Sequence, residues 1–87
     1  MRWFRVELAE DQAEPRRLDD GTILVTDSPE IVWKHWFGED PCHVWEVEGD
    51  AVKEWDEWYE DENGARHQTR AAFVVPRRVR LVKTLGE

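Results

Sequence analysis

Six tryptophans in a chain of 87 residues leave it few ways to fold. An indole carries too much apolar surface to stay in water at no cost. Trp3, Trp33, Trp36, Trp45, Trp55 and Trp58 must therefore supply much of a core or much of an interface. That content argues against disorder, although charged residues make up 37% of the chain. A chain this short holds one core and buries only about 60–65% of the surface its unfolded form exposes. A single domain over residues 1–87 is expected, and no repeat or Pro/Gly/Ser linker divides it.

Cys42 is the one cysteine, so no internal disulfide can staple the fold. No apolar run approaches the ~18 residues of a membrane span. The start, Met1-Arg2-Trp3-Phe4-Arg5, turns charged too soon for a secretion signal. These features predict a cytoplasmic protein without a membrane partner.

The net charge of −8 is unevenly spread. Residues 27–62 carry thirteen acids against Lys34 and Lys53, whereas residues 63–87 carry five arginines and Lys83 against Glu87. An acidic middle repels nucleic acid and steers toward basic partners. The plainer alternative is that the basic tail folds back against the acids and neutralises them.

Trp3 to Leu8 alternates Phe4, Val6 and Leu8 with Arg5 and Glu7, the pattern of a half-buried strand. Residues 9–20 read as a polar loop, and Asp20-Gly21 as a turn. Thr22-Ile23-Leu24-Val25-Thr26 is a short β-branched strand. Asp27-Ser28-Pro29-Glu30 then opens a helix, with Asp27 as its cap and Glu30 three residues on. Ile31, Val32, Trp33, Trp36 and Phe37 continue that helix, and Gly38 stops it. Cys42 to Glu48 reads as a strand ending at Gly49. Ala51, Val52, Trp55, Trp58 and Tyr59 fit helical spacing after Asp50, so a second helix over 51–59 is preferred. A hairpin arm turning at Asn63-Gly64 is the alternative. Gln68–Val75 and Arg78–Lys83 read as two strands separated by Pro76, with Phe73, Val75, Val79 and Leu81 in the core. The class is α+β: a small, mostly antiparallel sheet of about five strands packed on one or two helices.

No catalytic apparatus is evident. Cys42 and His43 are adjacent and point to opposite faces of a strand, so with His35 and His67 they make no tetrahedral metal site. Asp61-Glu62-Asn63-Gly64 resembles part of a calcium loop, but Gly64 at its sixth position puts Tyr59 and Arg70 where oxygen ligands belong. Ser28 is explained by the helix start, and the glycines are too scattered for a phosphate loop. No cofactor is called for.

Two surface features remain. Trp55, Asp56, Glu57, Trp58, Tyr59 and Glu60 place three aromatics among acids, a combination suited to docking on a basic groove. Against this, the rings could face the core and leave only the acids in solvent. Arg78 and Arg80 share one face of a strand and could clamp phosphate. Internal pairing with the acidic middle is the preferred reading of these arginines, because a nucleic-acid reader is basic overall and this chain is acidic.

The run Gly21-Thr22-Ile23-Leu24-Val25-Thr26-Asp27-Ser28-Pro29-Glu30, followed by Val44-Trp45-Glu46-Val47, resembles part of the ADP-ribosyltransferase-like family. The basic strand after Pro76 is similar to that family's closing strands. Arg5 stands where the family holds its dinucleotide, without the Gly-Thr that normally follows. The late catalytic Glu has no match in Gln68–Phe73. The resemblance therefore implies a reduced, inactive relative, in which Arg5, Arg78 and Arg80 would grip a phosphorylated nucleotide.

The leading expectation is different: a small acidic, non-enzymatic protein-binding domain that engages the basic surface of another protein through the acidic-aromatic segment. It could be an inhibitor imitating nucleic acid charge, of the kind phages and mobile elements carry, and it would not contact nucleic acid directly.

Overall fold

The computed structural model describes residues 1–10 and 14–86. Four strands and one helix follow in the order β1 (Trp3–Leu8), β2 (Ile23–Thr26), α1 (Pro29–Phe37), β3 (Cys42–Glu60) and β4 (Arg66–Leu85). Every strand pairing is antiparallel, and the order β1-β2-β4-β3 closes on itself as a small barrel. The α+β class with a small antiparallel sheet holds, with four strands instead of five. Among the described residues, no helix is long and apolar enough to cross a membrane.

The missing helix and the missing strand have separate causes, one in β3 and one in β4. Residues 51–59 are not helical; they continue β3, which runs through Gly49 to Glu60. Their apolar spacing is compatible with a helix, but residues 66–73 offer a complementary strand, from Glu60↔Arg66 to Lys53↔Phe73. That pairing satisfies the backbone over the whole arm, and a helix would leave the partner strand bare. Asp61 organises the turn: its Oδ1 accepts from the amides of Asn63 and Ala65, while Gly64 N–H donates to the Asp61 carbonyl. Gly64, at φ 81°, takes the left-handed position there. At the other end Pro76 does not split β4. It sits opposite Gly49, at a register shift, where its missing donor costs nothing.

Two apolar clusters lie on opposite faces of the sheet, as alternation along β1 requires. The first takes residues from all four strands, Trp3, Ile23, Val25, Val47, Ala72 and Val74, and fills the barrel. Each large side chain there is worth about 1.5–3 kcal/mol relative to exposure. The second, Val6, Cys42 and Val44, is covered by Trp33 and Phe37 of α1 and by Val82 and Leu85. No α1 residue is fully buried, so the helix is a lid on one face rather than a core element.

The expected core of β4 holds only in part: Val79 packs against the first cluster, whereas Phe73 and Val75 give way to Ala72 and Val74. Val75 and Leu81 are nearly half exposed, and Phe73 and Val79 only half-buried. The buried positions are Thr69, Ala71, Ala72 and Val74. Ala72 and Val74 face inward beside Trp3, and Phe73 turns out against Trp55. A slip of one residue exchanges the two faces.

The helix start also differs in detail. Ser28 is the N-cap and its side chain makes no capping bond. Asp27 is used elsewhere: its Oδ1 accepts from the Arg70 amide at 2.9 Å, and its own N–H donates to the Arg70 carbonyl. Those bonds tie the end of β2 to β4 beyond the ladder. Gly38 ends α1 in the left-handed conformation, as expected. The Asp20-Gly21 turn is likewise present, with Gly21 N–H bonded to the Leu18 carbonyl. Of the polar segment 9–20, residues 11–13 lie outside the described residues.

Candidate functional site

Beyond the barrel, β3 and β4 project as a two-stranded arm, and strand alternation divides the acidic-aromatic segment between its faces. Trp55, Glu57 and Tyr59 fall on one face, and Asp56, Trp58 and Glu60 on the other. The segment is therefore not a single patch.

On the second face Trp58 is 55% exposed. It pairs across the arm with Gln68, between the rungs Asp56↔Arg70 and Glu60↔Arg66. The Arg66 guanidinium lies 5.0 Å over the indole, a cation–π contact that leaves the other side of the ring open.

The strand register also decides the fate of the charge asymmetry. The arginines of β4 stand opposite the acids of β3: Arg80 across from Glu46, Arg78 from Glu48, Arg70 from Asp56. Ion pairs follow at 2.7 Å for Arg80–Glu46, 2.6 Å for Arg70–Asp56 and 2.6 Å for Arg77–Asp50. Most are solvent-exposed and each is worth less than about 1 kcal/mol; they match the register and offset part of the acidic charge of β3. Glu46 is the best enclosed. It receives both Arg2 and Arg80, and their hydrogen bonds hold its carboxyl below the usual carboxylate range. Further acids gather at the arm tip, where Glu60, Asp61 and Glu62 line, with Glu39, an open hollow also bordered by Lys34, His35 and His67. His67 bonds Asp61 at 2.9 Å and lowers its carboxyl pKa.

The first face of the arm looks toward α1. Trp36 Nε1 donates to the Tyr59 hydroxyl at 3.3 Å, and that hydroxyl donates a short bond to Glu57 Oε2. Trp55 Nε1 donates to Glu57 Oε1 at 2.8 Å. The His35 ring stacks edge-on against Tyr59 at 4.7 Å. Burial, then the bond to Glu57, pushes the Tyr59 hydroxyl pKa up. This relay borders a cavity of about 400 Å³ between α1 and the sheet. Sequence reasoning missed it, because Trp36 stands 19 to 23 residues from Trp55, Glu57 and Tyr59 and meets them only when the arm folds past the helix.

The three arginines of the nucleotide reading do not converge. Arg5 lies in one row with Trp45 and Leu81, so Arg80, next to Leu81, points to the opposite face. Arg5 bonds Glu7 and the Leu24 carbonyl, Arg80 bonds Glu46, and Arg78 is exposed opposite Glu48. Cys42 is fully buried, and burial pushes its thiol pKa up, which removes the thiolate a nucleophile needs. Among the described residues no three His, Cys, Asp or Glu side chains come together as a metal site. Comparison with protein-family models, curated proteins and solved structures finds no match to this chain.

Proposed function

We propose that the chain is a non-enzymatic protein-binding domain whose arm docks on a basic surface through Trp58, with Asp56 and Glu60 beside it. The observation that carries this is the exposure of one indole on a strand paired residue for residue from Lys53 to Glu60. A rigid aromatic buries much area on contact for little loss of conformational freedom, which is why such rings dominate interface energetics. On this face Glu54, Asp56 and Glu60 outnumber Arg66 and Arg70 by one, and Asp61 and Glu62 follow at the tip, which favours a basic partner. Imitation of nucleic acid charge fits less well. It calls for an unbroken row of negative charge, and Arg66 and Arg70 interrupt this face.

The test is affinity capture with the whole chain, comparing wild type, Trp58→Ala and Val52→Ser, the last also an exposed β3 position. Trp58→Ala should lose at least 90% of a specifically captured basic protein while its thermal melt stays within a few degrees of wild type. Val52→Ser should keep it. Unchanged capture by Trp58→Ala, or its collapse to an unfolded chain, defeats the proposal.

A further inference from the structure

The cavity between α1 and the sheet lies on the opposite face of the arm from Trp58, so it is independent of the docking surface. Its walls are apolar and aromatic: Phe4 and Val6 from β1, and Val32, Trp36 and Phe37 from α1. Glu57 and Tyr59 of β3 supply its polar side. At about 400 Å³ it falls in the range of small-molecule sites, which pair apolar walls with a few fixed polar groups.

The charges at its wall are unequal in their satisfaction. Arg5 also borders the space, but its guanidinium is bonded to the Glu7 carboxylate at 3.2 Å and to the Leu24 carbonyl. Glu57 receives only neutral donors, the Trp55 indole and the Tyr59 hydroxyl, and no cation among the described residues lies within ion-pair distance of it. Those donors hold the carboxylate in place without cancelling its charge, and each oxygen keeps lone pairs for another donor. A cation bound there would gain a charge-assisted hydrogen bond in partly dry surroundings. It would also lie near the Trp36 indole, which is 66% exposed and offers a π face.

We propose that this cavity binds a small organic cation, a primary ammonium carried on a flat apolar body, with Glu57 as its counter-ion and the rings of Phe4, Trp36 and Phe37 around the body. An anion would meet Glu57 unfavourably, and a neutral molecule would leave its charge unmatched.

Three isosteric probes decide the matter: 2-phenylethylammonium, 2-phenylethanol and 3-phenylpropionate, titrated into the isotope-labelled full chain. The readout is the indole N–H resonance of Trp36, assigned by its loss in Trp36→Phe. The ammonium should shift that resonance saturably and bind at least tenfold tighter than the alcohol, and the carboxylate should bind weakest. Glu57→Gln should bring ammonium and alcohol to within twofold of each other. Should E57Q fail to fold, the probe order on wild type still gives the answer. Equal affinity for ammonium and alcohol, preference for the carboxylate, or a Trp36 resonance unmoved by all three overturns the proposal.

Discussion

Replacing Gly49 by alanine should destabilise this domain more than any other single-methyl change in it. Gly49 lies just past the end of β3's pairing with β1, opposite Pro76 at a register shift. A Cβ built there meets the Val75 carbonyl oxygen at 2.1 Å, with Val74 Cγ1 at 2.8 Å and the Val75 carbonyl carbon at 2.9 Å. Close C···O contacts between neighbouring strands settle at about 3.3–3.6 Å, so the two backbones must part by about 1.2 Å. The obstructing atom is main chain within the longest ladder, and no rotamer change can relieve it. Overpacking costs about 1–3 kcal/mol where side chains can yield, which puts this change at or above about 3 kcal/mol. A chain of this length has about 4–13 kcal/mol in total. With a urea slope of about 1 kcal/mol/M, the unfolding midpoint should fall by about 3 M, and Tm by more than about 10 °C. Gly64→Ala is the control: at φ 81° it carries only the left-handed penalty of about 1–2 kcal/mol, and its Cβ would find nothing nearer than Glu60 Oε1 at 3.7 Å. If Gly49→Ala unfolds within about 0.5 kcal/mol of wild type, or is no worse than Gly64→Ala, the steric reasoning is wrong.

Two further outcomes are expected from buried and bonded polar groups. Thr69 is almost wholly buried on β4 and its hydroxyl has no hydrogen-bond partner among the described residues. Thr69→Val keeps the branched shape and removes that unpaired group, so urea unfolding should show a gain of about 1 kcal/mol. A loss of that size would mean the hydroxyl serves a purpose. The acid limb of stability is set by carboxyls held below their ordinary pKa: Glu46 by bonds from Arg2 then Arg80, Asp61 by His67 then the Ala65 amide, and Asp20 by Thr22. The unfolded chain takes up their protons first, so this stabilisation is present above the unfolded values of about 4 and fades as pH falls through the lower folded values. Melting scans from neutral pH downward should show the decline, and Glu46→Gln should flatten it; an unchanged acid limb in that variant speaks against the Arg2–Glu46–Arg80 cluster as a cause.

What could be read along the chain was whatever depends on near neighbours. Pro29 and Gly38 bracket α1 because proline suits a first turn and glycine a left-handed stop. The alternation from Trp3 to Leu8 gives β1, and the single antiparallel α+β class follows from such short elements. The pairing of the basic tail with the acidic middle was the reading the charges favoured, because opposite charges in one small domain tend to meet.

Residues 51–59 mark where that reading stops. Their spacing suits a helix as well as a strand, and only the presence of 66–73 alongside decides between them. The same dependence governs Trp55, Trp58 and Tyr59. Which of them faces solvent is set by the phase of the β3–β4 register, and one residue of slip would exchange Trp58 with its neighbours. The inward facing of Ala72 and Val74 in place of Phe73 and Val75 has this origin as well, since the pairings of β4 with β2 and β3 fix which side of the strand meets the first cluster. The Glu57 cavity is the extreme case, formed by side chains from β1, α1 and β3 that no local pattern connects. Sequence determined the elements through propensity and punctuation, which act within a few residues. Tertiary structure alone decided faces, register and cavity, because those come from the packing of strands far apart along the chain.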